Sequence, residues 1–257
     1  MIKETTLSFL AIITIISTIM IMLNGYSISS TISFINAQSP SPSNDTQSSG
    51  QKPLPALLIH GYAEDSQIWK KWEELMKKDG IAVYTVTFTE SDDKCGSSAD
   101  HAKELNKRVK AILNSTGQRQ VNLVGHSKGG LDARVFLADS NVKDVANLIM
   151  IGTPNNGSPA AEFSSICKPA IDDLKPGANS TKAKMNPNTK YYTISGDWTP
   201  ITEGNPLIPG KDDGLVPVNS VESEKYFKSL GRTGHAHADL LSEDEYNMSK
   251  GTLAGKR

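Results

Sequence analysis

Between Leu54 and Ser195 the chain alternates two kinds of hydrophobic pattern. Short runs rich in apolar residues stand at Leu54–Ile59, Ile81–Phe88, Val121–Val124, Val145–Ile151 and Tyr191–Ser195. Runs of that length without a polar face suit strands covered on both sides, as in a parallel sheet. The segments between them repeat at helical spacing. Gln67–Lys78 places Ile68, Trp69, Trp72 and Leu75 on one side, with Ser66 as a capping residue before it and Gly80 after it. Ala99–Leu113 does the same with Ala102, Leu105, Val109, Ile112 and Leu113, and Gly117 lies beyond it. A third helical pattern, Leu131, Val135, Phe136 and Leu137, starts just after Ser127. Strands alternating with helices predict an α/β fold, a mostly parallel central sheet with helices on both faces. Asp93–Ser98 reads as a loop. Ser158–Pro187 breaks the alternation, being rich in Lys, Pro, Asn and Asp. It is an insertion that forms either a small cap or a plain surface loop.

The front of the chain has a different pattern. No charged residue occurs from Thr5 to Asn44, and Leu7–Leu23 is a run of 17 almost wholly apolar residues. As a helix that run would be roughly 26 Å long, a little short of the hydrocarbon thickness of a bilayer. Residues 1–37 are therefore expected to be a signal peptide, cleaved after Ile35-Asn36-Ala37, or an N-terminal membrane anchor. Either way the chain is exported, to be secreted or held on the outer face of the cytoplasmic membrane, with membrane association through this segment in the second case. Residues 38–53, rich in Ser, Pro and Gln, read as a flexible linker, which leaves 54–257 as the folded domain.

Composition adds mainly exclusions. With 27 basic and 28 acidic residues and a formal charge of −1, no basic field invites nucleic acid. The two cysteines, Cys95 and Cys167, lack a zinc-type spacing. In an oxidising compartment they are either one disulfide or two free thiols. Sequons at Asn44, Asn114, Asn179 and Asn247 permit N-glycosylation in hosts that perform it.

The chemistry concentrates in Gly125-His126-Ser127-Lys128-Gly129-Gly130, which follows a β-rich run and opens a helix. A serine hydroxyl is a poor nucleophile unless it is held clear of its neighbours beside a base. A tight strand-to-helix turn does the first, and glycines on either side remove the Cβ atoms that would collide there. The helix N-terminus directs N–H groups towards the place where an oxyanion would form. His60, Ser127, Thr153 and Asp197 all fall just past predicted strand ends, where functional residues of such sheets collect.

In chain order, His60-Gly61-Tyr62, the Ser127 motif, Gly152-Thr153-Pro154-Asn155-Asn156-Gly157, Asp213-Gly214-Leu215-Val216-Pro217 and His237-Ala238-Asp239-Leu240-Leu241 resemble the α/β-hydrolase superfamily. Within it they look most like secreted microbial lipases and esterases. The resemblance covers roughly Leu54 to Leu241. It implies Ser127 as nucleophile, Asp213 as the acid and His237 as the base, with the backbone N–H groups of Tyr62 and Lys128 as the oxyanion hole. Asp212 and Asp197 are the alternative acids, and His235 is the alternative base. His101 is expected to be solvated on its helix, His126 to be a buried spacer and His60 to brace the oxyanion turn. Some bacterial lipases of this kind hold calcium through an acid two places after the histidine, the place of Asp239 here. Asp197 is one further oxygen donor, against the six to eight calcium takes, so neither a metal nor an organic cofactor is expected. The implied activity is hydrolysis of small-molecule or lipid esters through an acyl-serine intermediate. An acyltransferase, a polyester depolymerase or a catalytically silent binding module would share these motifs.

Overall fold

The computed structural model describes residues 52–198, 208 and 210–256. The expected leader at 1–37 and nearly all of the expected linker at 38–53 lie outside them. Six strands form one sheet: β1 (Ala56–Ile59), β2 (Val83–Thr85), β3 (Val121–His126), β4 (Val145–Ile151), β5 (Lys190–Gly196) and β6 (Lys228–Thr233). Their order is β2-β1-β3-β4-β5-β6, with every neighbour parallel. The chain leaves β1 towards β2 on one side and returns to place β3 on the other. The strand order therefore reverses between β1 and β3, and the crevice beyond their carboxyl ends is the natural ligand site.

Alternate side chains of each strand enter two cores. Leu57 and Ile59 of β1 join Leu123, Leu148 and Met150 under α2 (Ser98–Thr116) and α3 (Lys128–Leu137). Ala56 and Leu58 join Val124, Ile149 and Ile151 under α1 (Lys70–Lys78) and α6 (Glu243–Leu253). Both faces of the sheet are thus covered, which is why these strands carry nearly continuous apolar sequence. Two short helices, α4 (Lys168–Asp172) and α5 (Val218–Val221), lie in the connections.

The predicted helices form with shifted ends. The helix expected over Gln67–Lys78 splits into a 3-10 turn, Ser66–Trp69, followed by α1, and its N-terminal cap is Asp65 rather than Ser66. The Asp65 carboxylate accepts from Gln67 N at 3.0 Å. Helix α2 is capped by Ser97 and ends at Gly117, whose φ of 67° lets its N–H turn back to Leu113 O. The run Ile81–Phe88 pairs over only three residues because β2 is an edge strand, although Ile81, Val86 and Phe88 stay buried. The insertion 158–187 carries a 3-10 turn at Pro159–Phe163, then α4, then a second 3-10 turn at Ser180–Lys182. Its Ala161, Ile171 and Leu174 pack with Leu131 of α3 and with Tyr62. Among the described residues no helix is long and apolar enough to cross a membrane.

Candidate active site

Ser127 stands between β3 and α3 with φ 51° and ψ −124°, a left-handed backbone state that a side-chain-bearing residue adopts only when its surroundings force it. The surroundings here are β3, which ends at His126, and the first turn of α3. Ser127 N donates to Ile151 O at 2.9 Å, tying the turn to the end of β4. A Cβ at Gly125 would come within 2.6 Å of the Gly129 carbonyl carbon, so strand and helix meet only over glycine.

His237 lies in a one-turn 3-10 segment, His237–Asp239, between β6 and α6. Its Nε2 is 2.9 Å from Ser127 Oγ, and its Nδ1 is 2.7 Å from Asp213 Oδ2. Asp213 is buried in the loop after β5. Its other oxygen, Oδ1, accepts from Leu215 N at 3.0 Å and Val216 N at 2.7 Å, and its carbonyl accepts from His237 N at 2.8 Å. With Oδ1 taken up by two backbone donors, Oδ2 is the oxygen that accepts from His237, which sets the proton on His237 Nδ1. That tautomer leaves Nε2 as an acceptor facing the serine hydroxyl, the requirement for a general base. The three residues named from the motifs are thus brought together from three separate loops.

The turn after β1 faces the serine. A Cβ at Gly61 would lie 2.8 Å from Ser127 Cβ, which puts the peptide leading to Tyr62 against the nucleophile. Lys128 opens α3 directly after Ser127. The two expected oxyanion donors therefore flank Ser127 from β1 and from α3.

The alternatives fall elsewhere. His235 Nδ1 sits 2.8 Å from Glu245 Oε1, so it serves the junction between β6 and α6. Asp212 Oδ1 accepts from Gly214 N at 2.7 Å and shapes the loop that presents Asp213. Asp197 is paired with Lys211, and Asp239 is exposed. Among the described residues no group of three His, Cys, Asp or Glu side chains could hold a metal ion. His101 is not solvated. It is buried, stacked on Phe88 at 3.7 Å between ring centroids, with Nδ1 2.7 Å from Asp132 Oδ2 and Nε2 donating to Asp92 O at 3.0 Å. The expectation failed because its helical face turns towards α3, where a carboxylate waits for it.

Three polar groupings around the elbow went unread in the sequence. Lys128 Nζ donates to Asp132 Oδ1 at 2.7 Å, both side chains being buried beside His101. Burial by itself would raise the Asp132 pKa, but the Lys128 charge and the His101 hydrogen bond outweigh it and hold the carboxyl low. The second grouping is Glu64 with His126. Glu64 Oε2 accepts from Gly61 N at 2.7 Å and lies 3.0 Å from His126 Nδ1, while His126 Nε2 donates to His237 O at 3.1 Å. Burial pushes Glu64 up, yet the His126 charge and hydrogen bonds bring it down to about 2. Burial likewise works against a charged His126, and the Glu64 carboxylate reverses the sign and raises it. His126 is therefore hydrogen-bonded to both Glu64 and the His237 carbonyl and links the oxyanion turn to the base; it is not a mere spacer. The third is Asp93, which lies 3.0 Å from His60 Nε2 and accepts from Phe88 N at 2.6 Å, so His60 does brace the turn. The four-residue spacing of Lys128 and Asp132 was a readable signal. Glu64 and Asp93 gave none, because their partners are distant in sequence.

Several large apolar side chains are exposed in the insertion and in the loop that carries Asp213. Phe163, Ile166, Leu215 and Trp198 are exposed to 66%, 61%, 45% and 42%. Phe163 and Ile166 belong to the insertion, and Leu215 follows Asp213. A separate surface cleft of about 980 Å³, lined in part by Arg134, Lys182, Lys190, Tyr191 and Lys228, opens where β5 and β6 begin; none of the triad lines it.

The family model described as palmitoyl protein thioesterase matches residues 55–197. A triacylglycerol lipase of Pseudarthrobacter phenanthrenivorans is 33% identical over 117 residues, covering 42% of this chain and 35% of the relative. A triacylglycerol lipase of Burkholderia plantarii is also 33% identical over 117 residues, covering 42% and 32%. The chain thus spans about a third of the length of these curated relatives. Among solved structures, the mature lipase BlEst2 of Bacillus licheniformis superposes with a TM-score of 0.66 at 21% identity, covering 85% of this chain and 96% of that one.

Proposed function

The chain belongs to the palmitoyl protein thioesterase family and has the α/β-hydrolase fold, and from that premise we propose that it hydrolyses carboxylic esters through an acyl-Ser127 intermediate. The observation that carries the proposal is the unbroken line Ser127 Oγ, His237 Nε2, His237 Nδ1, Asp213 Oδ2, with gaps of 2.9 and 2.7 Å.

In the first step Ser127 Oγ attacks the acyl carbon while His237 Nε2 takes the hydroxyl proton. Asp213 keeps the ring oriented and offsets its new charge. The carbonyl oxygen becomes an oxyanion between the N–H groups of Tyr62 and Lys128, where donors fixed in advance stabilise charge without rearranging. Collapse breaks the bond to the leaving group, which takes the proton from His237. Water then attacks the acyl-serine by the same sequence in reverse roles, releasing the acid and restoring the serine. The family description brings acyl thioesters in as a second substrate class, for which the steps are the same and a thiolate leaves without needing the full proton transfer. The exposed apolar side chains of the insertion, Phe163 and Ile166, and Leu215 beside Asp213 favour an acyl chain as part of the substrate.

Export is part of this reading. The uncharged apolar run Leu7–Leu23 and the disulfide between Cys95 and Cys167 both favour action outside the cytoplasm, secreted or anchored at the membrane face. No cofactor enters the scheme.

A fluorophosphonate probe tests the proposal directly, because it phosphonylates only a serine activated by its base. Peptide mapping of the labelled protein is expected to find one adduct, on Ser127. A folded protein that stays unlabelled would refute the nucleophile and leave a silent binding fold.

A further inference from the structure

Cys95 and Cys167 are joined in a disulfide across 72 residues, from the loop after β2 to the insertion after β4. Neither cysteine belongs to the triad. The residue before each one, however, is hydrogen-bonded to the oxyanion turn. Ala63 N donates to Lys94 O at 3.0 Å, and Tyr62 Oη donates to Ile166 O at 2.9 Å. The turn is therefore gripped on one side by the strand of chain ending in Cys95 and on the other by the strand ending in Cys167. Two more contacts strengthen the first grip: Asp93 with His60 Nε2 at 3.0 Å, and Lys94 Nζ with Asp65 Oδ2 at 3.6 Å. The covalent bond closes the ring Tyr62, Ile166, Cys167, Cys95, Lys94, Ala63.

The turn needs such a grip. Ala63 has φ 57° and Cys167 φ 51°, states that a side chain makes costly. Tyr62 contributes an oxyanion donor that works only within a few tenths of an ångström of its place. The insertion that supplies Ile166 is largely polar and packs on the body of the fold through few apolar side chains. Without the cross-link, it could shift and carry the Tyr62 contact with it.

We propose that the Cys95–Cys167 disulfide is a positioning clamp for the oxyanion turn, so that full turnover requires the oxidised protein. The proposal rests on the serine-hydrolase reading above. Both cysteines are half-buried, so a small dithiol can reach them. The exchange balances simply: the dithiol delivers two electrons and two protons to the sulfur–sulfur bond and leaves as its cyclic disulfide, giving two cysteine thiols. Release of the clamp loosens a transition-state contact without touching Ser127, His237 or Asp213. The loss should therefore appear in kcat, with KM for a short ester nearly unchanged.

The test compares full-length oxidised protein with protein reduced by dithiothreitol, alkylated and desalted, and with the C95S/C167S variant. Each is assayed on a short nitrophenyl ester below its unfolding temperature. Binding of an alkyl boronic acid is measured in parallel, because its tetrahedral serine adduct places an oxygen in the oxyanion hole. The clamp predicts a fall in kcat on the order of 10-fold, well short of the roughly 10²–10³ that complete loss of an oxyanion donor costs. Boronate affinity should fall by a similar factor, and KM should stay within about twofold. Tyr62→Phe, with the disulfide intact, should lower kcat in the same sense and add little further in the C95S/C167S background. Folded disulfide-free protein with the kcat and boronate affinity of the oxidised form would overturn the clamp. If that protein does not fold, Tyr62→Phe decides, and unchanged kcat in it overturns the clamp equally. No turnover by the oxidised wild type would instead refute the hydrolase reading beneath it.

Discussion

Glu64 and His126 illustrate how much of this site is decided by single residues that lie outside the catalytic motif. His126 is buried and Glu64 half-buried, and their pKa values shift in opposite senses. The Glu64 carboxyl is lowered from 4.5 to about 2, so its contribution to stability is present above about pH 4.5 and is lost as the pH falls towards 2. His126 is raised above 6.5, so its contribution is complete below 6.5 and is lost as the pH rises through its folded value. The pair stabilises the fold most between those limits. In urea unfolding, the advantage of wild type over Glu64→Gln should be greatest near pH 5–6 and shrink towards about pH 2; parallel stability curves would show that the pair is not ionised. The two histidines near the end of the chain separate the same way. His237→Ala should abolish turnover with little loss of stability. His235→Ala should keep turnover and lose stability, because it strips a partner from buried Glu245; the reverse pattern would exchange their roles. Ser127 was marked by the glycines around it, whereas Asp213 and His237 came only through the resemblance of their motifs; the structure brings the three within hydrogen-bonding distance. His101 was misread because only the approach of α2 to α3 tells which of its faces is covered.

At the scale of elements, α3 has two tasks, to present the serine and to anchor its own first turn. Anchoring falls to Lys128 and Asp132, one turn apart and both buried, with His101 of α2 closing the group. Replacing one member leaves a buried charge unmatched, which costs about 3–5 kcal/mol. Asp132→Asn should therefore lower the urea midpoint strongly; a shift worth less than about 1 kcal/mol would mean that water reaches Lys128. The strands β1, β3, β4 and β5 could be read from their apolar runs because both faces of each are covered. Strand β6, Lys228–Thr233, could not. It is an edge strand with one neighbour, its side chains are mostly polar, and Gly231 interrupts it at a register shift. Helix α6 was missed for a related reason, since Tyr246 and Leu253 are its only fully buried apolar side chains. Its start is fixed by a capping box in which the Ser242 hydroxyl and the Glu245 carboxylate cap each other's backbone N–H region.

At the scale of the whole molecule, topology locates the chemistry. The strand order reverses between β1 and β3. The oxyanion turn follows β1, Ser127 follows β3, and Asp213 and His237 come from the loops after β5 and β6. Part of it was legible, because His60 and Ser127 fall just past strands that their apolar runs mark; the place of His237 was not, because it follows β6. The pairing of the cysteines was not, because it depends on where the insertion returns. Closing 72 residues with a disulfide restricts the unfolded chain by about 4 kcal/mol in the loop-entropy account. Reduction should lower the melting temperature by roughly 10 °C, and an unchanged value would mean that the unfolded chain is already compact. The central claim, ester hydrolysis through Ser127, is tested most directly by kcat/KM for a chain-length series of nitrophenyl esters and an acyl thioester, wild type beside Ser127→Ala. The account predicts turnover by the wild type and a loss on the order of 10⁴-fold or more in the variant, with the fold intact. Equal rates in the two proteins would contradict it.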